Sequence, residues 1–339
     1  MTSASSSLNT ERAPFLLAPS GKDYLWGGER LTDDFNKDLD CCPLAETWEC
    51  STHPDGESIV RSGPFSGRSL RELLKLHPDY LGSRLPHGEE LPVLVKLIDA
   101  RRDLSVQVHP SDAYASEHEH GARGKTELWY VVEAAKDAHL IYGFLHDTER
   151  ETVRRSLADG TLLRHLQKVP VKKGDVFFIP AGQVHALGAG CLVAEVQESS
   201  NITYRLYDYD RVDKNGQKRL LHVERALEVA NLRSSVAPRQ PMEVVRFRPG
   251  TMIELLCRCP WFQVEKISVD TRRCRELARF KSNPESFRAL LCIEGCGTLS
   301  WGSGADERLD FFRGDSIFVP ADSVEYRIHG MAQLLRVSC

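Results

Sequence analysis

Four side chains in three short motifs carry the ligand chemistry for one divalent cation. Gln107 and His109 lie two residues apart in LSVQVHP, Glu127 opens the apolar run ELWYVV, and His185 stands in IPAGQVHALG. Side chains alternate faces along a β-strand, so Gln107 and His109 point the same way. Two imidazoles, a carboxylate and an amide, with no thiolate, suit Zn²⁺ with an open position. Other first-row ions such as Mn²⁺, Co²⁺ or Fe²⁺ accept the same donors. A single strand histidine is most often a satisfied polar residue, so Gln107-x-His109 decides little without the other two.

Further charged groups share these faces. Lys125 precedes Glu127 by two residues, and Ser105 stands in the same relation to Gln107. Lys96 interrupts the apolar VLVKLI, where a lysine must snorkel or face a cavity. Desolvation or a nearby cation would lower its pKa and make it a usable base. Either lysine could instead hold an anion. Arg205, in TYRLYD, stays charged and is a clamp for an oxyanion or phosphate rather than a base; its alternative is an ion pair with Asp208 or Asp210.

The elements that must position these groups are mostly short strands bounded by Gly, Pro, Asp and Asn. They are expected over 93–97, 104–108, 128–132, 176–180 and 192–197, with helices over 69–76, 148–158 and 222–230. Residues 1–15 read as a polar lead-in, 16–230 as the metal-binding unit and 231–242, rich in Pro, Ser and Arg, as a linker. The remainder, 243–339, echoes the first unit. Gly174-Asp175 and Pro180 recur as Gly314-Asp315 and Pro320 at a constant offset of 140, each pair of motifs preceded by an apolar strand. The spacing matches the G-D-x-x-x-x-P unit of the cupin jelly roll. The fold class is therefore mainly β, with two cupin-like jelly-roll barrels in tandem and a few short helices. In the second copy Arg288 falls opposite Glu127 and Glu325 opposite His185, which predicts a degenerate barrel without metal.

Composition sets the outer bounds. A chain of 339 residues with 41% hydrophobic and 27% charged residues has room for two units and a substantial core. A net charge of −4 gives no basic field for nucleic acid, so a phosphorylated ligand needs a local basic pocket. No apolar run reaches the length of about 18 residues that a spanning helix needs, and MTSASSSLNTERAPF has no apolar signal core. The expectation is a cytoplasmic protein without membrane or nucleic-acid partners. Ten cysteines without a CxxC read as reduced thiols, with zinc ligation by Cys257 and Cys259 as the alternative. His118-Glu119-His120 reads as a solvated loop before a metal tract, and Arg272, Arg273, Arg275 and Arg279 as an exposed face.

Six longer stretches resemble type I mannose-6-phosphate isomerases of the short bacterial form. They are YLWGGERL from Tyr24, AETWECSTHPDGES from Ala45, LVKLIDARRDLSVQVHP from Leu94, GKTELWYVVEA from Gly124, GDVFFIPAGQVHALG from Gly174 and ESSNITYRLYDYDR from Glu198. The resemblance covers most of the chain, and several long motifs in one order are far more specific than any short pattern. It implies an aldose–ketose isomerase with one Zn²⁺ per chain, interconverting mannose 6-phosphate and fructose 6-phosphate by C1–C2 proton transfer through an enediol. Arg205 matches the family's catalytic arginine, and Lys96 resembles an active-site lysine; with Lys125 it is expected to line the pocket. Ser105 and Glu46 are expected at the substrate, and His53 beside Glu46 in the wall. Trp26-Gly27-Gly28 suits a tight turn under an aromatic lid. Asn201 departs from the pattern as read here, where many relatives carry Asp four residues before the arginine. It can orient a hydroxyl but cannot shuttle a proton. The rivals are a cupin isomerase acting on another hexose 6-phosphate and a sugar-phosphate-binding cupin without catalysis. A monomer or weak homodimer is expected.

Overall fold

The computed structural model describes residues 12–86, 90–212, 215–235, 238–274, 277–302 and 307–339. It is mainly β: antiparallel strands form three sheets, with a few short helices. A six-stranded sheet has the order Val176–Ile179, Glu127–Ala134, Cys191–Glu198, Val93–Asp99, Glu46–Cys50, Ser20–Lys22. A five-stranded sheet has the order Tyr204–Tyr207, Val106–Val108, His185–Leu187, His139–Phe144, Leu166–Pro170. The third, ten-stranded, is drawn mostly from the C-terminal part and is built around the long pair Arg288–Trp301 and Tyr326–Ser338.

Alternation along each strand explains the layers. Trp129 and Val131 enter a core shared with Leu140, Tyr142 and Leu187 of the five-stranded sheet. Leu128 and Tyr130 turn the other way, into a core shared with Phe318, Leu335 and Val337 of the ten-stranded sheet. The six-stranded sheet is thus buried on both faces, which is why its strands read as nearly continuous apolar runs. Each large side chain so buried contributes roughly 1.5–3 kcal/mol of hydrophobic stabilisation. The outer face of the five-stranded sheet is covered through Val153, Ala226 and Leu227 by the helices Arg150–Ala158 and Val223–Val229. The ten-stranded sheet encloses its own core around Leu290, Phe311, Ile317 and Leu334.

The expected helix at 69–76 spans Leu70–Leu76, with Ser69 as N-cap in a capping box with Glu72. One expectation is corrected: the polar stretch around His118 opens as a helix, Asp112–His118, capped by Ser111. It buries only Ala115, so no apolar period announced it. Glu119 beyond it accepts a hydrogen bond from the Tyr204 hydroxyl at 2.8 Å and pairs with Arg225.

The two copies share one register. Glu127, Leu128, Trp129 and Tyr130 pair with Ile179, Phe178, Phe177 and Val176. Arg288, Ala289, Leu290 and Leu291 pair in the same sense with Val319, Phe318, Ile317 and Ser316. Two early segments cross between the copies: Phe15–Ala18 pairs with Ser316–Val319 on one side and Ile59–Val60 on the other. The stretch 231–242 lies against the first unit, with Arg239 bridging to Phe177 and its Nε 3.1 Å from Asp175. Residues 236 and 237 within it, Arg275, and most of the N-terminal lead-in fall outside the described residues. Arg272 and Arg279 are exposed and paired with Asp270 and Glu325. Among the described residues no helix is long and apolar enough to cross a membrane.

Candidate active site

Two facing sheets each contribute one transverse row of side chains. In the five-stranded sheet the row is Arg205, Gln107, His185, Tyr142, direct neighbours on four adjacent strands. In the six-stranded sheet it is Trp48, Lys96, Glu195, Trp129. Glu127 stands two residues before Trp129 on the same face. The rows are fixed by antiparallel register rather than by any one motif.

His109, Glu127 and His185 are buried, and their ligand atoms lie within 4.8 Å of one another. His109 Nε2 is 3.5 Å from Glu127 Oε2, and His185 Nε2 is 3.1 Å from Oε1. Each imidazole is oriented from behind: His109 Nδ1 meets the Ile202 carbonyl at 2.9 Å and His185 Nδ1 meets that of Gln183 at 2.8 Å. A carbonyl accepts from Nδ1–H, which leaves the Nε2 lone pair toward the centre. Burial, then Lys125, pushes His109 down to about 3, so this ring is neutral around pH 7. Burial opposes ionisation of Glu127, but Lys125 and the two histidines hold it well below the usual carboxylate range. His109 Nε2 and both Glu127 oxygens are buried without a hydrogen-bond partner, although Lys125 Nζ approaches Oε2 to 2.9 Å. Orphaned buried acceptors converging in this way are what a cation satisfies. Gln107 Nε2 stands 3.3 Å from His185 Nε2, and a half-turn of the amide brings its oxygen to that point.

Beside this cluster is a cavity of about 230 Å³ whose lining includes Lys96, Ser105, Lys125, Asn201, Arg205 and Glu46. Ser105 Oγ is 3.5 Å from Gln107 Oε1, and both Ser105 and Lys125 precede their strands. Asn201, exposed at the rim, donates to Asp55 at 2.9 Å. Trp26 is buried in the wall rather than spread over the mouth, and Gly27 is required because a Cβ would lie 2.7 Å from Ala45. His53 packs edge-on to Trp48.

Lys96 corrects an expectation. Burial does disfavour its charge, but Glu46 at 3.5 Å and Glu195 at 3.2 Å outweigh it, and its pKa is raised, not lowered. The two carboxylates thus favour its charged form. Arg205 does not form the ion pair considered for it: Asp208 binds Arg211 and Arg219, and Asp210 binds Lys218. The Arg205 Nη1 donates to the Leu220 carbonyl at 2.9 Å, while its Nε is buried without a partner. Burial, and next the adjacent Arg219, work against its charge, which marks a cationic corner ready for an anion.

Sequence reading missed two of these residues. Glu195 is 3% exposed and is the lone acid within the apolar CLVAEV, the same signal that singled out Lys96. Arg219 lines the cavity from a polar loop, where nothing distinguishes it from other surface arginines.

Residues 15–138 match the family model of the type I phosphomannose isomerase catalytic domain, and 252–339 that of the mannose-6-phosphate isomerase cupin domain. The mannose-6-phosphate isomerase ManA of Bacillus subtilis is 35% identical over 95% of this chain and 98% of its own length. The chain belongs to the type I phosphomannose isomerase family. A crystal structure of the mannose 6-phosphate isomerase from Bacillus subtilis superimposes with a TM-score of 0.88 and 34% identity, covering 96% of this chain and 99% of that one. A solved structure from Archaeoglobus fulgidus shares the fold at a TM-score of 0.74 and 23% identity, covering 96% of this chain and 98% of that one. Family membership thus agrees with the expected enzyme class and cupin-like fold. The catalytic-domain match takes in Gln107, His109 and Glu127, whereas His185 and Arg205 lie between the two matched segments.

Proposed function

We propose that this phosphomannose isomerase family member interconverts mannose 6-phosphate and fructose 6-phosphate, with one Zn²⁺ per chain. The observation that carries this reading is the meeting of the two rows: a buried nitrogen–oxygen ligand set on one side, an arginine corner whose Arg205 Nε has no partner among the described residues on the other, and a sugar-sized cavity between. Gln107, His109, Glu127 and His185 would hold the ion. When bound, it supplies Lewis acidity toward the oxygens at C1 and C2.

The chain's own groups divide the remaining work. Arg205, with Arg219 beside it, is assigned to the phosphate, where the Arg205 Nε is free to donate. Lys125 and Ser105 are assigned to substrate oxygens, and Asn201 to a hydroxyl at the rim. Lys96 keeps its charge, and burial followed by Glu46 raises the Tyr24 phenol to about 12. Among the residues that line the cavity, the carboxylates are Glu46 and Glu195. We assign the C1–C2 proton to this pair. Charge balance supports the reading. Lys96 faces Glu46 and Glu195, Lys125 faces Glu127, and Arg211 and Arg219 share Asp208, with Arg205 beside them, so five cationic groups stand against four carboxylates. A divalent ion then leaves an excess of about +3, enough to receive a phosphate dianion.

The boundaries 16–230, 231–242 and 243–339 are proposed as one catalytic unit, its linker and a supporting barrel without metal. All named site residues lie on one chain, so a monomer suffices. Ten free thiols suit a reducing compartment, and the cytoplasm is assigned on that ground.

The test is conversion of mannose 6-phosphate before chelation, after it, and after zinc is returned. Loss followed by recovery is expected. Zinc-loaded protein that leaves mannose 6-phosphate untouched sinks the reading, and glucose 6-phosphate as a parallel substrate separates the nearest rival.

A further inference from the structure

The six-stranded sheet holds an arrangement that the proposed chemistry does not by itself require. Trp48, Lys96, Glu195 and Trp129 occupy one row, each facing the next across adjacent strands. The indole N–H of Trp129 donates to Glu195 Oε2 at 2.7 Å. The indole N–H of Trp48 donates to Glu46 Oε2 at 2.9 Å. The Lys96 ammonium lies between those two carboxylates, 5.0 Å from the centre of the Trp48 ring. Both tryptophans are essentially inaccessible, at 0% and 1% exposure. An indole N–H is a donor only, and when buried it needs an acceptor. A buried carboxylate needs donors besides its counter-ion. Here each meets the other's need, twice, on either side of one lysine.

We infer that Trp48 and Trp129 are positioning residues that clamp Glu46 and Glu195 around Lys96, holding that ammonium and both carboxylates of the cavity in one fixed geometry. The inference rests on the isomerase reading for its kinetic consequence, but not for the clamp itself. An N–H to carboxylate bond is charge-assisted and directional, and it fixes which oxygen each carboxylate keeps for itself. Glu195 Oε2 is committed to the indole, while Oε1 has no hydrogen-bond partner and stands 3.2 Å from Lys96. Without the indole, the carboxylate rotates to share both oxygens with Lys96 and its lone pairs leave the substrate side. Trp129 also lies edge-on to His185, with ring centres 5.4 Å apart, so its two functions have to be separated experimentally.

Trp129→Phe and Trp48→Phe each delete one N–H and keep an aromatic ring. Each is expected to lower kcat about tenfold, the scale of lost support behind a catalytic group, with KM for mannose 6-phosphate changed by less than about twofold. Zinc content is expected to stay at the wild-type level. In a Glu195→Gln background Trp129→Phe is expected to add nothing, because the carboxylate that the indole orients is gone. Multiplying effects in that background, or a Trp129→Phe enzyme as fast as wild type, would overturn the inference. A second measurement needs no turnover. In ¹⁵N-labelled protein, Glu195→Gln should move the Trp129 indole resonance and leave that of Trp48, and Glu46→Gln should do the reverse. Indole signals indifferent to both changes reject the clamp. Signals that move as stated in a protein inert toward mannose 6-phosphate uphold the clamp and reject the substrate assignment.

Discussion

The same sheet row is built twice in this molecule, with opposite purposes. In the first copy it reads Trp129, Glu195, Lys96, Trp48; in the second, Leu290, Arg336, Glu265, Leu255. Both rows place an ion pair on the two central strands, but its polarity is reversed. Arg336 reaches Glu265 with Nε at 2.8 Å and Nη2 at 2.6 Å, a forked pair flanked by leucines. Each charge there is spoken for. In the first copy one ammonium faces two carboxylates, two indoles supply the missing donors, and acceptor capacity is left over at a cavity. Next to each row the contrast repeats: Glu127 gathers two histidines, whereas Arg288, at its place, donates to the carbonyls of Ser286 and Phe287. Glu325, opposite His185, is engaged by Arg279 at the surface. The scaffold therefore tolerates charge inside either barrel; what makes a site is a surplus of lone pairs without donors.

Experiments can press on that contrast. The largest effect is expected from Glu127→Gln, which keeps shape but removes the negative charge between two imidazoles. Bound zinc measured by mass spectrometry and turnover should vanish together, the latter by about 10³-fold or more. Turnover surviving with the metal gone would dissolve the distinction between the copies. Arg205→Lys keeps a charge but not the fork; kcat/KM should fall about 10²-fold, with inorganic phosphate inhibiting the variant less well than wild type. In the second copy Arg336→Met should cost about 3–5 kcal/mol by stranding Glu265, whereas Arg336→Met with Glu265→Leu should recover most of that and leave kcat untouched. Chemical denaturation read beside the activity assay decides this, and a slow double variant would show that the second row is not merely structural.

The smallest effect concerns Glu198, whose side chain accepts the Thr126 N–H at 2.8 Å. Burial, then Asp112, raises it to about 7. Between the ordinary glutamate range and pH 7 the folded chain therefore holds a proton that the unfolded chain has released, and stability from this group declines as pH rises through that window. Glu198→Gln should flatten the decline and gain about 1 kcal/mol at pH 8. A denaturation midpoint with the same pH slope as wild type would refute this.

Much of this contrast was legible in the residues. The constant offset between Gly174-Asp175 and Gly314-Asp315 pointed to the repeated register, and Arg288 stands in it where Glu127 stands in the first copy. Turn chemistry and capping are local, so Ser69 and its helix could be read directly. What could not be read was lateral order. Trp48, Lys96, Glu195 and Trp129 come from four segments that antiparallel pairing alone brings into a row, and no spacing along the chain records it. Whether Lys96 is a base or a holder of an anion stayed open in the sequence for the same reason. Burial was visible in VLVKLI, but the two carboxylates that reverse its effect were on neighbouring strands. Phe15–Ala18 was likewise invisible as a member of the distant sheet, because a short apolar strand carries no address.

That last strand has a consequence for the order in which the molecule is made. Phe15 pairs with Phe318, and Leu17 with Ser316. The earlier segment leaves the ribosome long before its partner and has to wait for it before the ladder closes, and closing so long a loop carries an entropic cost that local hairpins escape. Until then it has Ile59–Val60 alone as a neighbour. This seam consequently closes only once Ser316–Phe318 have been made, and a chain stopped short of residue 316 leaves Phe15 and Leu17 with an apolar edge to shelter.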